Sequence, residues 1–112
     1  YPVFRLHRRG RIRIGDRYGW WGLRGFSGTW FHGASAGEVQ GLLPVLRRYR
    51  ERRPEARILL TVTSPTVLDD PNVRELVDEV RILPFDQPRF IRRALDGLTI
   101  EEVVIGETEI WP

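Results

Sequence analysis

Thr29-Trp-Phe-His-Gly-Ala-Ser-Ala-Gly-Glu38 reads as a short buried strand that runs into a glycine-flanked turn and then a helix. Trp30 and Phe31 favour extended structure. Gly33 and Gly37 permit close backbone approach. Ser35 followed by Glu38 has the Ser-x-x-Glu spacing of a capping box, so the helix starts at this point. Taken alone, that spacing makes Glu38 a capping carboxylate. At the carboxyl edge of a sheet, the same carboxylate beside the free amides of a helix start also suits a ligand.

Beyond this stretch, residues 37 to 52 predict a helix, with Val39, Leu42, Leu43, Leu46 and Tyr49 recurring at three- and four-residue intervals. Pro44 inside the pattern should bend it, and Pro54 marks its end. Arg47, Arg48, Arg50, Arg52 and Arg53 are expected on the opposite, solvated face, complementing the dipole at the helix's carboxyl end. Arg57 to Thr63 holds the apolar run Ile58-Leu-Leu60 and Val62, as in a parallel strand covered on both faces. Thr63-Ser-Pro-Thr66 then makes a hydroxyl-rich turn in which Ser64 and Thr66 suit turn and cap positions. Asp69-Asp-Pro-Asn72 opens a short helix carrying Val73, Leu76 and Val77, and Ile82-Leu83 continues as a third strand. Asp86 is placed to cap a helix bearing Phe90, Ile91, Ala94 and Leu95. Glu101 to Gly106, with Val103-Val-Ile105, gives a fourth strand. This alternation predicts an α/β fold, a Rossmann-like parallel sheet flanked by helices with right-handed crossovers. The glycines do not form Gly-x-Gly-x-x-Gly, so no dinucleotide site is expected.

The chain's 112 residues bound it to one domain, able to bury about 65% of the surface of its unfolded form. It has no methionine, begins at Tyr1 and stops at Trp111-Pro112, and reads as a fragment. No apolar run approaches the roughly 20 residues that span a bilayer. Cysteine is absent, which fits a reducing compartment, and His7 and His32 are the only imidazoles, which argues against a histidine-rich metal site. No cofactor is implied. Charge is segregated: residues 1–57 carry 13 arginines against four acids, while residues 58–112 carry five arginines against 11 acids. Residues 1–28 read as a basic, aromatic leader to the domain at 29–112, with Arg5, Arg8, Arg9, Arg11, Arg13, Arg17 and Arg24 interleaved with Phe4, Tyr18, Trp20 and Trp21. Arginine with amphipathic aromatics suits an anionic membrane surface, where Trp20-Trp21 would lie at head-group depth, or a single-stranded nucleic acid. A leader whose tryptophans pack on the domain fits equally, and Arg11-Ile-Arg-Ile14 suits a short hairpin strand.

His32-Gly-Ala-Ser-Ala-Gly-Glu-Val39 resembles the His-x-x-Ser-x-Gly-Glu motif of the 3-deoxy-D-manno-octulosonic acid (Kdo) transferases, and Glu107-Thr-Glu-Ile-Trp-Pro112 resembles that family's Glu-Thr-Glu-Leu-Trp-Pro signature. Pro84-Phe-Asp-Gln-Pro88 is similar to its Pro-x-Asp-x-Pro turn. Thr63 to Thr66 is similar to its Thr-Pro-Thr-Gly turn, with Val67 where the glycine falls. The resemblance spans residues 29–112 and implies the amino-terminal, acceptor-side half of a GT-B glycosyltransferase whose carboxyl-terminal donor domain lies outside this sequence. The implied reaction is transfer of Kdo from CMP-Kdo to a lipid A precursor at the cytoplasmic face of the inner membrane. It gives Glu38 the role of general base and Glu107 a supporting role at the transition state, with Ser35, Gly37, Thr63, Ser64 and Thr66 on the acceptor. Alternation puts Glu107 and Glu109 on one side of an extended segment. Two rivals remain: a GT-B transferase with another acceptor, and a non-catalytic module binding anionic membrane or nucleic acid. The carboxylate pair separates them, because a binder of phosphates gains nothing from Glu38 and Glu107.

Overall fold

The computed structural model describes residues 15–63 and 65–106, apart from the Thr66 side chain. The hairpin strand expected at Arg11 to Ile14, together with Ser64, Glu107, Glu109 and Trp111, lies outside the described residues. Four strands, β1 (Ser27–Gly33), β2 (Ile58–Val62), β3 (Glu79–Ile82) and β4 (Thr99–Gly106), alternate with three helices, α1 (Ala36–Arg52), α2 (Pro71–Arg74) and α3 (Pro88–Leu95). All strand pairs are parallel and the order is β3-β2-β1-β4, so the predicted α/β sheet is present.

Side-chain alternation along the strands assigns the two faces. Ile58, Leu60 and Val62 join Phe31 and the buried stripe of α1, Val39, Leu42, Leu43 and Leu46, in one core. Leu59 points the other way, into a second core with Trp21, Leu23, Phe26 and Ala94. All five residues of β2 are therefore buried, which is why that strand reads as a continuous apolar run.

Three of those five second-core residues come from the stretch read as leader. Trp21 is 2% exposed, and its indole N–H donates to the Ile82 carbonyl at 3.0 Å. Asp16 is fully buried, and its Oδ2 accepts from the Ile82 amide at 2.9 Å. Trp20, by contrast, is 63% exposed with the Arg93 guanidinium 3.9 Å over its ring. The tryptophan pair is thus split between core and surface and cannot lie together at head-group depth. From residue 15 onward this segment is the layer that covers the α3 face of the sheet.

Several boundaries differ from the sequence reading. β3 begins at Glu79, earlier than expected, because Val80 and Ile82 are the inward positions while Glu79 and Arg81 pair with each other at 3.0 Å. β4 begins at Thr99, with a register irregularity opposite Gly28 and Thr29. Asp86 does not cap α3: Pro88 occupies its first turn, which moves the cap to Gln87, and Gln87 makes no side-chain cap bond. α2 is a single turn capped by Asp70, with Leu76 and Val77 buried beyond it. Arg50 is not a solvated helix-end cation. It donates to the Leu76, Pro54 and Ala56 carbonyls and pairs with Asp78 at 2.9 Å, tying the end of α1 to the segments that lead into β2 and β3. No helix among the described residues is long and apolar enough to cross a membrane.

Candidate functional site

The strand order fixes where a ligand site belongs. From β1 the chain moves outward through β2 to β3, then returns to the far side of β1 as β4, so the order reverses between β1 and β4. Open parallel sheets bind ligands outside the carboxyl ends of the strands at such a switch point. Gly33 and Gly106, the last residues of β1 and β4, are register partners there. Both are glycine because α1 lies across them. A Cβ on Gly106 would meet Leu42 Cγ at 2.5 Å, and one on Gly33 would meet Val39 Cγ2 at 3.0 Å.

Past Gly33 the chain turns through Ala34 into α1. Ser35 is the N-cap, in extended conformation; its Oγ accepts from the Glu38 amide at 3.2 Å, and Glu38 Oε1 accepts from the Ser35 amide at 2.9 Å. This is the predicted capping box. It engages one carboxylate oxygen only: Oε2 has no hydrogen-bond partner among the described residues, and Glu38 is half-buried. Val39 N–H is taken by the Ser35 carbonyl, which leaves the Ala36 and Gly37 amides at the helix start without a partner among the described residues. Gly37 is exposed, and a Cβ there would meet only Ser35 Oγ at 3.9 Å, so packing gives no reason for glycine.

Thr63, just past β2, belongs to the same edge. Its amide and hydroxyl both donate to the Ala34 carbonyl, the amide at 3.2 Å, so it holds the β1–α1 turn in place. The Thr63 carbonyl in turn accepts from Arg17, one of the arginines of residues 1–28. Of the site residues expected from sequence, the fold brings Ser35, Gly37, Glu38 and Thr63 together. Ser64, the Thr66 side chain and Glu107 lie outside the described residues.

Two residues at this edge were missed as site candidates. His32, near the end of β1, is the register partner of Thr61, and its Nδ1 lies 2.8 Å from the Thr61 hydroxyl. Burial pulls the His32 imidazole below the usual histidine range, opposed in part by the Thr61 main chain and the Glu38 charge. The available signal was His32's place as the first residue of the motif that carries Ser35 and Glu38, one step before Gly33. Arg17 gave no signal, since it lies in a run of similar arginines. Away from this edge, on the α3 face, an apolar cleft of about 240 Å³ is lined by Trp21, Trp30, Leu83, Pro84, Ile91 and Leu95. Among the described residues no group of three or more acidic or imidazole side chains could hold a metal.

A sequence profile of the family described as 3-deoxy-D-manno-octulosonic-acid transferase (kdotransferase) matches residues 8–112. The chain belongs to the Kdo transferase family. It is 36% identical over 87 residues to the 3-deoxy-D-manno-octulosonic acid transferase of Chlamydia trachomatis serovar D, a match covering 74% of this chain and 20% of that protein. The corresponding transferase of Haemophilus influenzae is 31% identical over 109 residues, covering 93% of this chain and 25% of its own length. That of Aquifex aeolicus is 33% identical over 84 residues, 74% of this chain and 23% of that protein. The chain thus spans a fifth to a quarter of the length of these Kdo transferases. No solved structure gives a significant match. The family match reaches back to residue 8 and includes the segment that closes the second core.

Proposed function

We propose that this chain forms the acceptor side of a Kdo transferase that moves Kdo from CMP-Kdo to a lipid A precursor, with Glu38 as general base. The observation that carries the reading is the position of Glu38: at the start of α1, over the switch point between β1 and β4, with Oε2 left open by the cap. Displacement of a nucleotide from a sugar carbon needs a base for the attacking hydroxyl and stabilisation of an oxocarbenium-like transition state. Glu38 takes the proton. Glu107, one residue past the register partner of Gly33, supports the developing positive charge. The Ala36 and Gly37 amides, at the positive end of the α1 dipole, hold an acceptor oxygen, and Ser35 and Thr63 keep the turn that presents them. Ser64 and Thr66 supply further acceptor contacts.

The donor belongs to the part of the longer protein outside this chain, so the chain alone is inactive in transfer. Exposed Val45, Arg48 and Arg52, which share one surface of α1, support contact with an anionic membrane surface at the cytoplasmic face of the inner membrane, where the lipid acceptor resides, the protein being held there peripherally or by an anchor outside this chain. Calorimetry separates this division of labour from its rivals. The chain is expected to give saturable heat with the disaccharide of the lipid A precursor and none with CMP. Stoichiometric CMP binding, with no response to the disaccharide, would put the donor on this half and overturn the reading.

A further inference from the structure

The polar contacts on the α3 face of β1 and β2 form a short chain. Trp30 Nε1 donates to Thr61 Oγ1 at 2.8 Å, and the same hydroxyl lies 2.8 Å from His32 Nδ1. Thr61 is fully buried, so its hydroxyl hydrogen needs an acceptor within the protein. An indole N–H can only donate. Among the described residues the acceptor placed for the Thr61 hydrogen is His32 Nδ1, which accepts it only when unprotonated. In a neutral imidazole the proton then resides on Nε2.

We propose that Thr61 locks His32 as the Nε2–H tautomer, so that His32 serves the crevice as a neutral hydrogen-bond donor that positions a sugar oxygen beside Glu38. Nε2 has no hydrogen-bond partner among the described residues, and the half-buried ring stays within reach of solvent. Burial favours the uncharged ring, against the smaller opposing effects of the Thr61 main chain and the Glu38 charge. His32 near the carboxyl end of β1 and Glu38 in the first turn of α1 both stand at the edge where the ligand is placed, and a polyol offers an oxygen to each. One hydroxyl gives its proton to Glu38 while another oxygen accepts from His32. The ligand class is thus a sugar, and this role rests on the reading of Glu38 as the acceptor-side base.

The tautomer is tested without reference to activity, in the full-length protein labelled with 15N-histidine and assigned by difference from His32→Gln. Near pH 7.5 the His32 nitrogens are expected to report a protonated Nε2 and an unprotonated, hydrogen-bonded Nδ1. Thr61→Ser should keep that pattern and Thr61→Val should shift it toward a tautomer mixture. A protonated Nδ1 in the parent overturns the proposal, and that spectrum decides it even if Thr61→Val does not fold. The donor role is read from kinetics. His32→Phe is expected to raise KM for the acceptor about five- to tenfold, the worth of one uncharged hydrogen bond, with kcat changed much less, and His32→Gln to recover part of the loss. An unchanged acceptor KM in His32→Phe overturns that role. A parent that transfers no Kdo would sink the transferase reading while leaving the tautomer result standing.

Discussion

Glu38→Gln in the full-length protein is expected to lower Kdo transfer by about 100- to 10,000-fold, the usual cost of losing a general base. The fold should survive. Glutamine is the other residue that closes a capping box, and its side-chain oxygen can accept the Ser35 amide hydrogen bond that Glu38 Oε1 takes at 2.9 Å. The substitution therefore removes the proton acceptor and leaves the cap. Two readouts separate the roles: transfer of radiolabelled sugar to the lipid acceptor, and the urea midpoint. If Glu38 only caps α1, transfer stays at the parental rate. If it is the base, transfer collapses while the midpoint shifts by little. A large fall in both would show that the carboxylate charge matters to the helix start itself.

The second large effect is on stability and lies in the segment that reads as a leader. Trp21→Ala is expected to cost about 3–5 kcal/mol, the range for truncating a large aromatic in a core. It empties the centre of the second core, removes the edge-to-face contact with Trp30 at 6.2 Å, and leaves the Ile82 carbonyl without its indole donor. Domains of this kind are stable by about 5–15 kcal/mol in total, so the loss should be plain in urea denaturation. Trp20→Ala is the matched control. Its ring is mostly exposed and its main contact is the Arg93 guanidinium, worth about 0.5–1 kcal/mol at such a site. Equal effects of the two substitutions would mean that residues 15–26 do not close the sheet.

These two tryptophans show where the sequence is legible and where it is not. Adjacent residues with the same chemistry, in an arginine-rich stretch without periodicity, give no local sign of which one is buried; Leu59, Ile82 and α3 decide that from far along the chain. By contrast, β2 and α1 are readable because each carries its burial pattern within a few residues: an unbroken apolar run, and a stripe at helical spacing. The turn holding Ser35 and Glu38 is readable because a capping box is a local hydrogen-bond exchange. Asp86 misleads because Pro88 fixes the start of α3 one residue later than a favourable cap residue suggests. His32 is hidden for a different reason. Its partner Thr61 lies 29 residues away, and only the parallel register of β1 and β2 brings the two together.

The claim that binds these observations is that the acceptor lies at the carboxyl edge of β1 and β4, where the strand order reverses. Hydrogen exchange on full-length Glu38→Gln, with and without the lipid A disaccharide, tests it most directly, because the variant holds the acceptor without consuming it. The amides from Ala34 to Val39, at the start of α1, are expected to gain protection on binding, with little change at the opposite edge around Arg53 to Arg57. Protection confined to that opposite edge, with the start of α1 exchanging as in the free protein, would contradict the account.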